Sequence, residues 1–294
     1  MMIMSDALSV PALLRRYGLR PDRRLGQNFL VDENALEKVV AAAEIAPTEE
    51  VLEIGAGLGS LTRHLARCAS RVVAVELDER LWQPLQEILA PYSNVHLVRG
   101  DILQLEISRL ISGAEYLVVA NIPYYITSAL IRRLLEAPQK PLRLILTVQE
   151  EVAERICAGK GEMSLLALSV AVYGSPRLVT HIPARAFYPP PKVNSAVVRI
   201  DLHPTPILPP DQLELFFQLA RAGFAQKRKT LRNSLAAGMG WTPAQAVNTL
   251  TAAGIDPQRR AETLDLGEWK QLVQSALQTP EEHNRARGFD RSSR

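Results

Sequence analysis

Residues 176–201 read PRLVTHI (176–182), PARAFYPPPK (183–192) and VNSAVVRID (193–201). The outer two segments are short runs rich in β-branched residues and bounded by turn formers, the pattern of strands. The ten residues between them hold four prolines. Proline lacks the N–H donor and its ring crowds the preceding turn, so this connection does not form a crossover helix. Two successive strands without a crossover pair antiparallel.

Upstream, apolar strand-like runs recur at EVLEI (50–54), RVVAVE (71–76), VHLVR (95–99), YLVVAN (116–121) and LRLILTVQ (142–149). Helix-period segments alternate with them around residues 60–69, 79–90, 127–137 and 150–158, and another precedes them, with Leu36, Val39, Val40 and Ala43 on one face. Alternation of this kind builds a parallel sheet. Five parallel strands followed by an antiparallel pair depart from the ordinary dinucleotide-binding sheet. They match the class I S-adenosylmethionine-dependent methyltransferase fold, a Rossmann-like seven-stranded α/β sheet with a final antiparallel pair.

HPTPILPP (203–210) reads as a stiff linker. Beyond it Leu213, Phe216, Phe217, Ala220 and Phe224 repeat at helical spacing, and Thr242 and Asp265 stand as N-caps before two further amphipathic segments. The expected organisation is an N-terminal extension over 1–20, a methyltransferase domain over 21–203, a small all-helical domain of three helices over 204–278, and a disordered tail over 279–294.

Composition narrows the function. The chain has 294 residues, 47% of them hydrophobic, a net charge of +3, five histidines and two cysteines. Cys68 and Cys157 stand apart and the histidines lack ligand spacing, so neither a disulfide framework nor a metal site is expected. No apolar run reaches the roughly 18 residues of a membrane span, and the start lacks the features of a secretory signal. A cytoplasmic protein without membrane contact, acting as a monomer, is expected. The charge is concentrated: Arg15, Arg16, Arg20, Arg23 and Arg24 share one stretch read as irregular, and Arg221, Lys227, Arg228, Lys229 and Arg232 share a second that holds no acid. Such runs are often only solvated surface, but two of them beside a base-handling site suit RNA phosphates.

VLEIGAGLGSLT (51–62) sets Gly55, Gly57 and Gly59 between a strand and a helix, where the backbone turns tightly and a ligand approaches closely. Glu76 ends the next strand, where an acid accepts hydrogen bonds from a ribose diol, and Asp101 follows the third, placed for an adenine amino group. Each acid alone reads equally well as a helix cap. Together they describe an adenosine-type cofactor at the carboxyl edge of a sheet. NIPY (121–124) follows the fourth strand at that edge. The Asn121 side-chain oxygen and the Ile122 carbonyl are suited to accept both hydrogens of an exocyclic amine, and Tyr124 offers a ring for a base to stack on. Phe187 in the proline-rich loop either clamps that base from its other side or plugs the core beneath the loop.

LGQNFLVD, EIGAGLGSLT, VELD, GDIL, NIPYYIT, EVAERI, FYPPPKVNSAVV and FAQKRKTLRNSL occur in this order. The set resembles the small-subunit ribosomal RNA dimethyladenosine transferases, the kasugamycin-sensitivity methyltransferase family, over about residues 15–275. The resemblance implies transfer of methyl groups from S-adenosylmethionine to N6 of two adjacent adenosines near the 3′ end of 16S rRNA, in a precursor small subunit, with a role in subunit biogenesis. It also implies that Asn28 and Leu30 complete the cofactor pocket with Gly55, Gly57, Glu76, Asp101 and Asn121. The same motifs are similar to those of the erythromycin-resistance 23S rRNA methyltransferases, the alternative; QKRKTLRN and the helical tail favour the small-subunit enzymes.

Overall fold

The computed structural model describes residues 8–113 and 115–278, and these gather into two compact units. The first runs through Cys157 and resumes over Tyr173–Thr205; the second comprises Ala158–Val172 and the chain from Pro206 onward. The expected tail therefore lies outside the described residues.

The first unit is built on a seven-stranded sheet. Its strands are β1 (Glu50–Ile54), β2 (Arg71–Glu76), β3 (Val95–Arg99), β4 (Tyr116–Asn121), β5 (Arg143–Gln149), β6 (Gly174–Ile182) and β7 (Ser195–Leu202), in the spatial order β3-β2-β1-β4-β5-β7-β6. The first five are parallel; β7 runs antiparallel to both β5 and β6. The proline-rich connection thus forces the topology anticipated from it. Order reverses between β1 and β4, and a ligand crevice opens at such a switch point in α/β sheets. The central strands β1 and β4 are buried almost throughout, whereas the edge strand β3 is largely half-exposed.

Helices α1 (Val10–Arg16), α2 (Glu33–Ala43), α3 (Ser60–Ala66), α4 (Trp82–Leu89), α5 (Thr127–Glu136) and α6 (Glu150–Cys157) complete this unit. Asp32 caps α2 by accepting from the Ala35 N–H at 2.9 Å. Leu36, Val39 and Ala43 are buried as their spacing requires, and Val40 packs at the margin of the same core. Each fully buried leucine or valine there contributes roughly 1.5–3 kcal/mol. Arg199 on β7 is buried but fully engaged, by Glu44, Asp201 and the Ala42 carbonyl.

The stretch 8–20 is not merely appended. Val10 and Leu14 of α1 are buried in a cluster with Phe29, Leu58 and Leu81. The basic run expected to be irregular therefore begins as the last turn of a helix carrying Arg15 and Arg16. Its apolar face is only two turns long, too short for periodicity to declare.

The second unit holds all but the last residue of α7 (Leu165–Tyr173), and α8 (Pro210–Phe224), α9 (Leu231–Met239), α10 (Pro243–Ala252) and α11 (Leu266–Gln278). Sequence reading leaves residues 158–172 in the first domain and counts three helices beyond the linker; both expectations differ from the structure. Met163 donates to Glu262 O at 3.2 Å, Ile207 donates to Val172 O at 3.0 Å, and Lys160 pairs with Asp265 at 3.1 Å, so this segment is fastened within the helical unit. Helix α7, LLALSVAVY, is apolar on every side and has no amphipathic stripe to reveal it. Helix α9 begins at the end of a run read for its charge. Thr242 forms a full capping box with Gln245, and Asp265 and Glu268 bond reciprocally, as the sequence foretells. Among the described residues no helix is long and apolar enough to cross a membrane.

Candidate functional site

At the carboxyl edge of β1, β2 and β4 the first unit opens a cleft of about 1020 Å³, counting the part open to solvent. Asn28, Gly55, Gly57, Glu76, Asp101, Asn121, Tyr124 and Phe187 all line it. Eight residues nominated from widely separated motifs thus meet in one place.

The turn after β1 is shaped for close approach. Gly57 has φ +59°, and a Cβ there would press to 3.0 Å from the Phe29 ring. Its N–H donates to Glu76 Oε2 at 2.7 Å, while the Asp78 N–H donates to Oε1 at 2.7 Å. Each oxygen keeps a second acceptor position, so two backbone donors aim a buried carboxylate without exhausting it. Burial raises the Glu76 carboxyl above its usual range, while the backbone bonds pull it back. Gly59 serves packing instead: a Cβ there would meet Leu85 and Leu89 of α4 at 3.2–3.3 Å.

Asp101 accepts from Leu103 N at 2.9 Å and from Gln104 Nε2 at 3.2 Å, so the turn-capping reading holds alongside its position in the cleft. Leu30 does not line the cleft. It forms a short antiparallel pair with Phe187, through Phe29–Leu30 against Phe187–Tyr188, and its side chain enters the core.

The base-side residues come from the loop after β4. Asn121 Nδ2 donates one of its two hydrogens to the Asn28 carbonyl at 3.1 Å, which orients the amide and its acceptor Oδ1. Ile122 is buried with its N–H on Thr147 O. Tyr124 opens a short 3-10 turn, half-buried, with its hydroxyl 2.9 Å from Ser195 Oγ; burial raises its pKa. Phe187 is only 3% exposed, packed in the core cluster with Leu30 while one edge reaches the cleft. Its ring is held in the core beneath the loop, as one of the two readings expects.

Sequence reasoning overlooked Gly26, Gln27, Leu77 and Tyr125, which also line the cleft. Gln27 Nε2 donates to Asp78 Oδ2 at 2.7 Å, and Asp78 in turn donates its N–H to Glu76, so the segment before Asn28 is tied to the cofactor-side carboxylate. VELD carried that signal in its final aspartate. Beneath the cleft Glu53 is fully buried, its Oε2 without a hydrogen-bond partner, and burial pushes its carboxyl up to about 8. The glycines, the held carboxylate and the apolar Leu77 form a cradle that fits an adenosyl cofactor.

Arg221, Lys227, Arg228, Lys229 and Arg232 do not line the cleft; they belong to the second unit. Lys227, Arg228 and Lys229 are exposed on the turn between α8 and α9, Arg221 pairs with Glu214 at 3.6 Å, and Arg232 sits half-exposed on α9.

Comparison with known proteins gives a concordant picture. The family model described as ribosomal RNA adenine dimethylase matches residues 19–278. Ribosomal RNA small subunit methyltransferase A of Dehalococcoides mccartyi (strain CBDB1) is 47% identical over 261 residues, covering 88% of this chain and 90% of that protein. The protein of the same description from Pelotomaculum thermopropionicum is 42% identical, covering 94% and 98%. Among solved structures, 23S rRNA methyltransferase ErmE is similar with a TM-score of 0.70 at 29% identity, covering 84% of this chain and 99% of that one. A dimethyladenosine transferase from Plasmodium falciparum shares the fold, with a TM-score of 0.74 at 24% identity over 85% and 98%.

Proposed function

The chain belongs to the ribosomal RNA adenine dimethylase family, and from that premise we infer how its cleft works. It is a small-subunit rRNA adenine dimethyltransferase that uses S-adenosylmethionine as methyl donor. The observation that carries the reading is the convergence of Glu76, Asp101, Asn121 and Tyr124 on one cleft at successive strand ends. Identity of 42–47% to small-subunit enzymes favours that substrate over the 23S rRNA alternative, to which the likeness is 29%.

In this reading Glu76 accepts the ribose hydroxyls, Asp101 receives the adenine amino group, and the Gly55–Gly57 turn admits the cofactor body. When bound, S-adenosylmethionine supplies an electrophilic methyl on a sulfonium sulfur. Asn121 Oδ1 and the Ile122 carbonyl accept the two N6 hydrogens of the target adenine, which directs the nitrogen lone pair out of the ring. Stacking on Tyr124 holds the base, and Phe187 walls the cleft. The Ser195 bond to the Tyr124 hydroxyl fixes the ring before substrate arrives. Alignment of this kind contributes about 7–11 kcal/mol where geometry is good. No strong base is required, because a newly methylated amino nitrogen sheds its proton readily.

The finer proposal is that the target is two adjacent adenosines near the 3′ end of 16S rRNA, in a precursor small subunit in the cytoplasm. A monomer acts, with Arg221, Lys227, Arg228, Lys229 and Arg232 on RNA phosphates. Phosphate contacts supply affinity and register, while splayed bases supply choice. The test is transfer of labelled methyl to small subunits from cells lacking dimethyladenosine, with 23S rRNA and duplex DNA in parallel. Label recovered only from small-subunit RNA as N6,N6-dimethyladenosine is the expected result. Label in 23S rRNA instead transfers the protein to the alternative substrate.

A further inference from the structure

The rim of the cleft carries a feature that the chemistry above leaves unused. Among the described residues the exposed large hydrophobic side chains are Leu77, Tyr125, Leu142, Tyr188, Val193 and Leu277, and Tyr125 is the most exposed of them at 61%. A single exposed apolar side chain needs no explanation. Tyr125, however, lines the cleft directly after Tyr124.

What stands beside the ring is informative. Gly26 has φ +63°, and a Cβ built there would lie 3.3 Å from Pro123 Cβ and 3.6 Å from two carbons of the Tyr125 ring. The backbone of the preceding loop therefore runs along one side of the ring. That loop presents Arg20, Arg23 and Arg24, all exposed. Asp22 is the one acid between Arg15 and Val31, and it is occupied by Arg24 and Arg80. Arg20 and Arg23 are left facing solvent on the loop that leads into Gly26, whose N–H donates to the Arg23 carbonyl at 3.2 Å. Interleaved cations and exposed rings are how proteins hold unpaired nucleic acid, the ring taking a base and the cations its backbone.

We propose that Tyr125, Arg20 and Arg23 form a second nucleotide subsite, in which the base next to the target adenosine stacks on Tyr125 and its phosphodiester is held by the two arginines. This rests on the RNA reading above. Tyr124 and Tyr125 are consecutive, so consecutive nucleotides are received by consecutive rings, one half-buried at the reacting position and one at the mouth. The subsite takes any unpaired base, preferring the larger π face of a purine. It fixes the strand so that the reacting base enters in one orientation.

The experiment measures initial rates against the concentration of small subunits lacking dimethyladenosine, for the unaltered protein, Tyr125→Ala, Tyr125→Phe and the double variant Arg20→Ala/Arg23→Ala, with the Kd of S-adenosylmethionine measured separately. Loss of one stacked base predicts about a tenfold rise in KM for Tyr125→Ala, with kcat and cofactor Kd within about twofold of the unaltered protein. Tyr125→Phe, which keeps the ring, restores KM. The double arginine variant raises KM and flattens its dependence on salt. The subsite is overturned if Tyr125→Ala leaves KM within twofold, if Tyr125→Phe fails to restore it, or if cofactor affinity falls with KM, which marks a structural role. No methyl incorporation by the unaltered protein overturns the RNA reading itself, and the subsite with it.

Discussion

The two halves of the cleft are organised by different means. On the cofactor side, backbone N–H groups of Gly57 and Asp78 clamp a buried carboxylate, and glycine-turn geometry shapes the space. On the base side, side chains do the work: an asparagine anchored through its own amide nitrogen, a tyrosine pinned by a serine, and a second tyrosine left in solvent. The contrast matches the ligands. A cofactor has one shape and rewards a backbone cradle, whereas an RNA base must be splayed out and read by its edge and face, which suits side chains presented from a loop.

If the halves are separable, substitutions on each side fail in different ways. Asn121→Ala removes the acceptor for the reacting amine, and turnover is expected to fall at least a hundredfold, as for loss of one transition-state hydrogen-bonding group. Cofactor Kd, measured by calorimetry, is expected to change far less than turnover; normal turnover in this variant defeats the assignment. Glu76→Ala is the converse. Its cofactor Kd is expected to rise by about ten- to a hundredfold through loss of charge-assisted hydrogen bonds, and raising cofactor concentration recovers turnover. A variant whose kcat falls at saturating cofactor dissolves the distinction.

The helical unit supplies a smaller effect of a third kind. Replacing Lys227, Arg228 and Lys229 with alanine weakens subunit binding and lowers the slope of log K against log salt by close to 3, about one per phosphate contact. Cofactor affinity stays unchanged, and an unaltered salt slope removes these residues from the RNA contact.

The last test reads stability and not activity, and concerns the floor beneath the cofactor half. Glu53 has a carboxyl pushed from 4.5 to about 8 by burial. Between those values the folded protein holds a proton that the unfolded chain has released, so stability falls as pH rises through that window and is lowest above it. Glu53→Gln is expected to flatten the dependence of Tm on pH between about 5 and 9, because the amide has no proton to lose. An unchanged slope assigns the pH dependence elsewhere.

Much of the cofactor half was legible because its parts are local. A strand, a glycine turn and an acid at the end of the next strand follow one another in the chain, and each follows from short-range geometry. The Asn121–Asn28 bond spans 93 residues and the Gln27–Asp78 bond spans 51, and no periodicity reports either. Asn28 was reached only through resemblance, and Gln27 and Tyr125 were passed over. Leu30 was reached through the same resemblance, and pairing with Phe187 turns its side chain into the core. Helix α7 escaped for a related reason, since a segment apolar on all sides shows no contrast between faces.

The sequence by itself determined the strand order's antiparallel ending, the carboxyl-edge position of the cofactor acids, and the caps of α10 and α11, because alternation, proline chemistry and capping act over a few residues. Only the tertiary structure decided that residues 158–172 pack with the helical unit, that α1 is part of the core, and which face of the Tyr124–Tyr125 pair is buried. Those outcomes depend on which distant apolar surfaces meet, and burial is a property of the pair of surfaces, not of either segment alone.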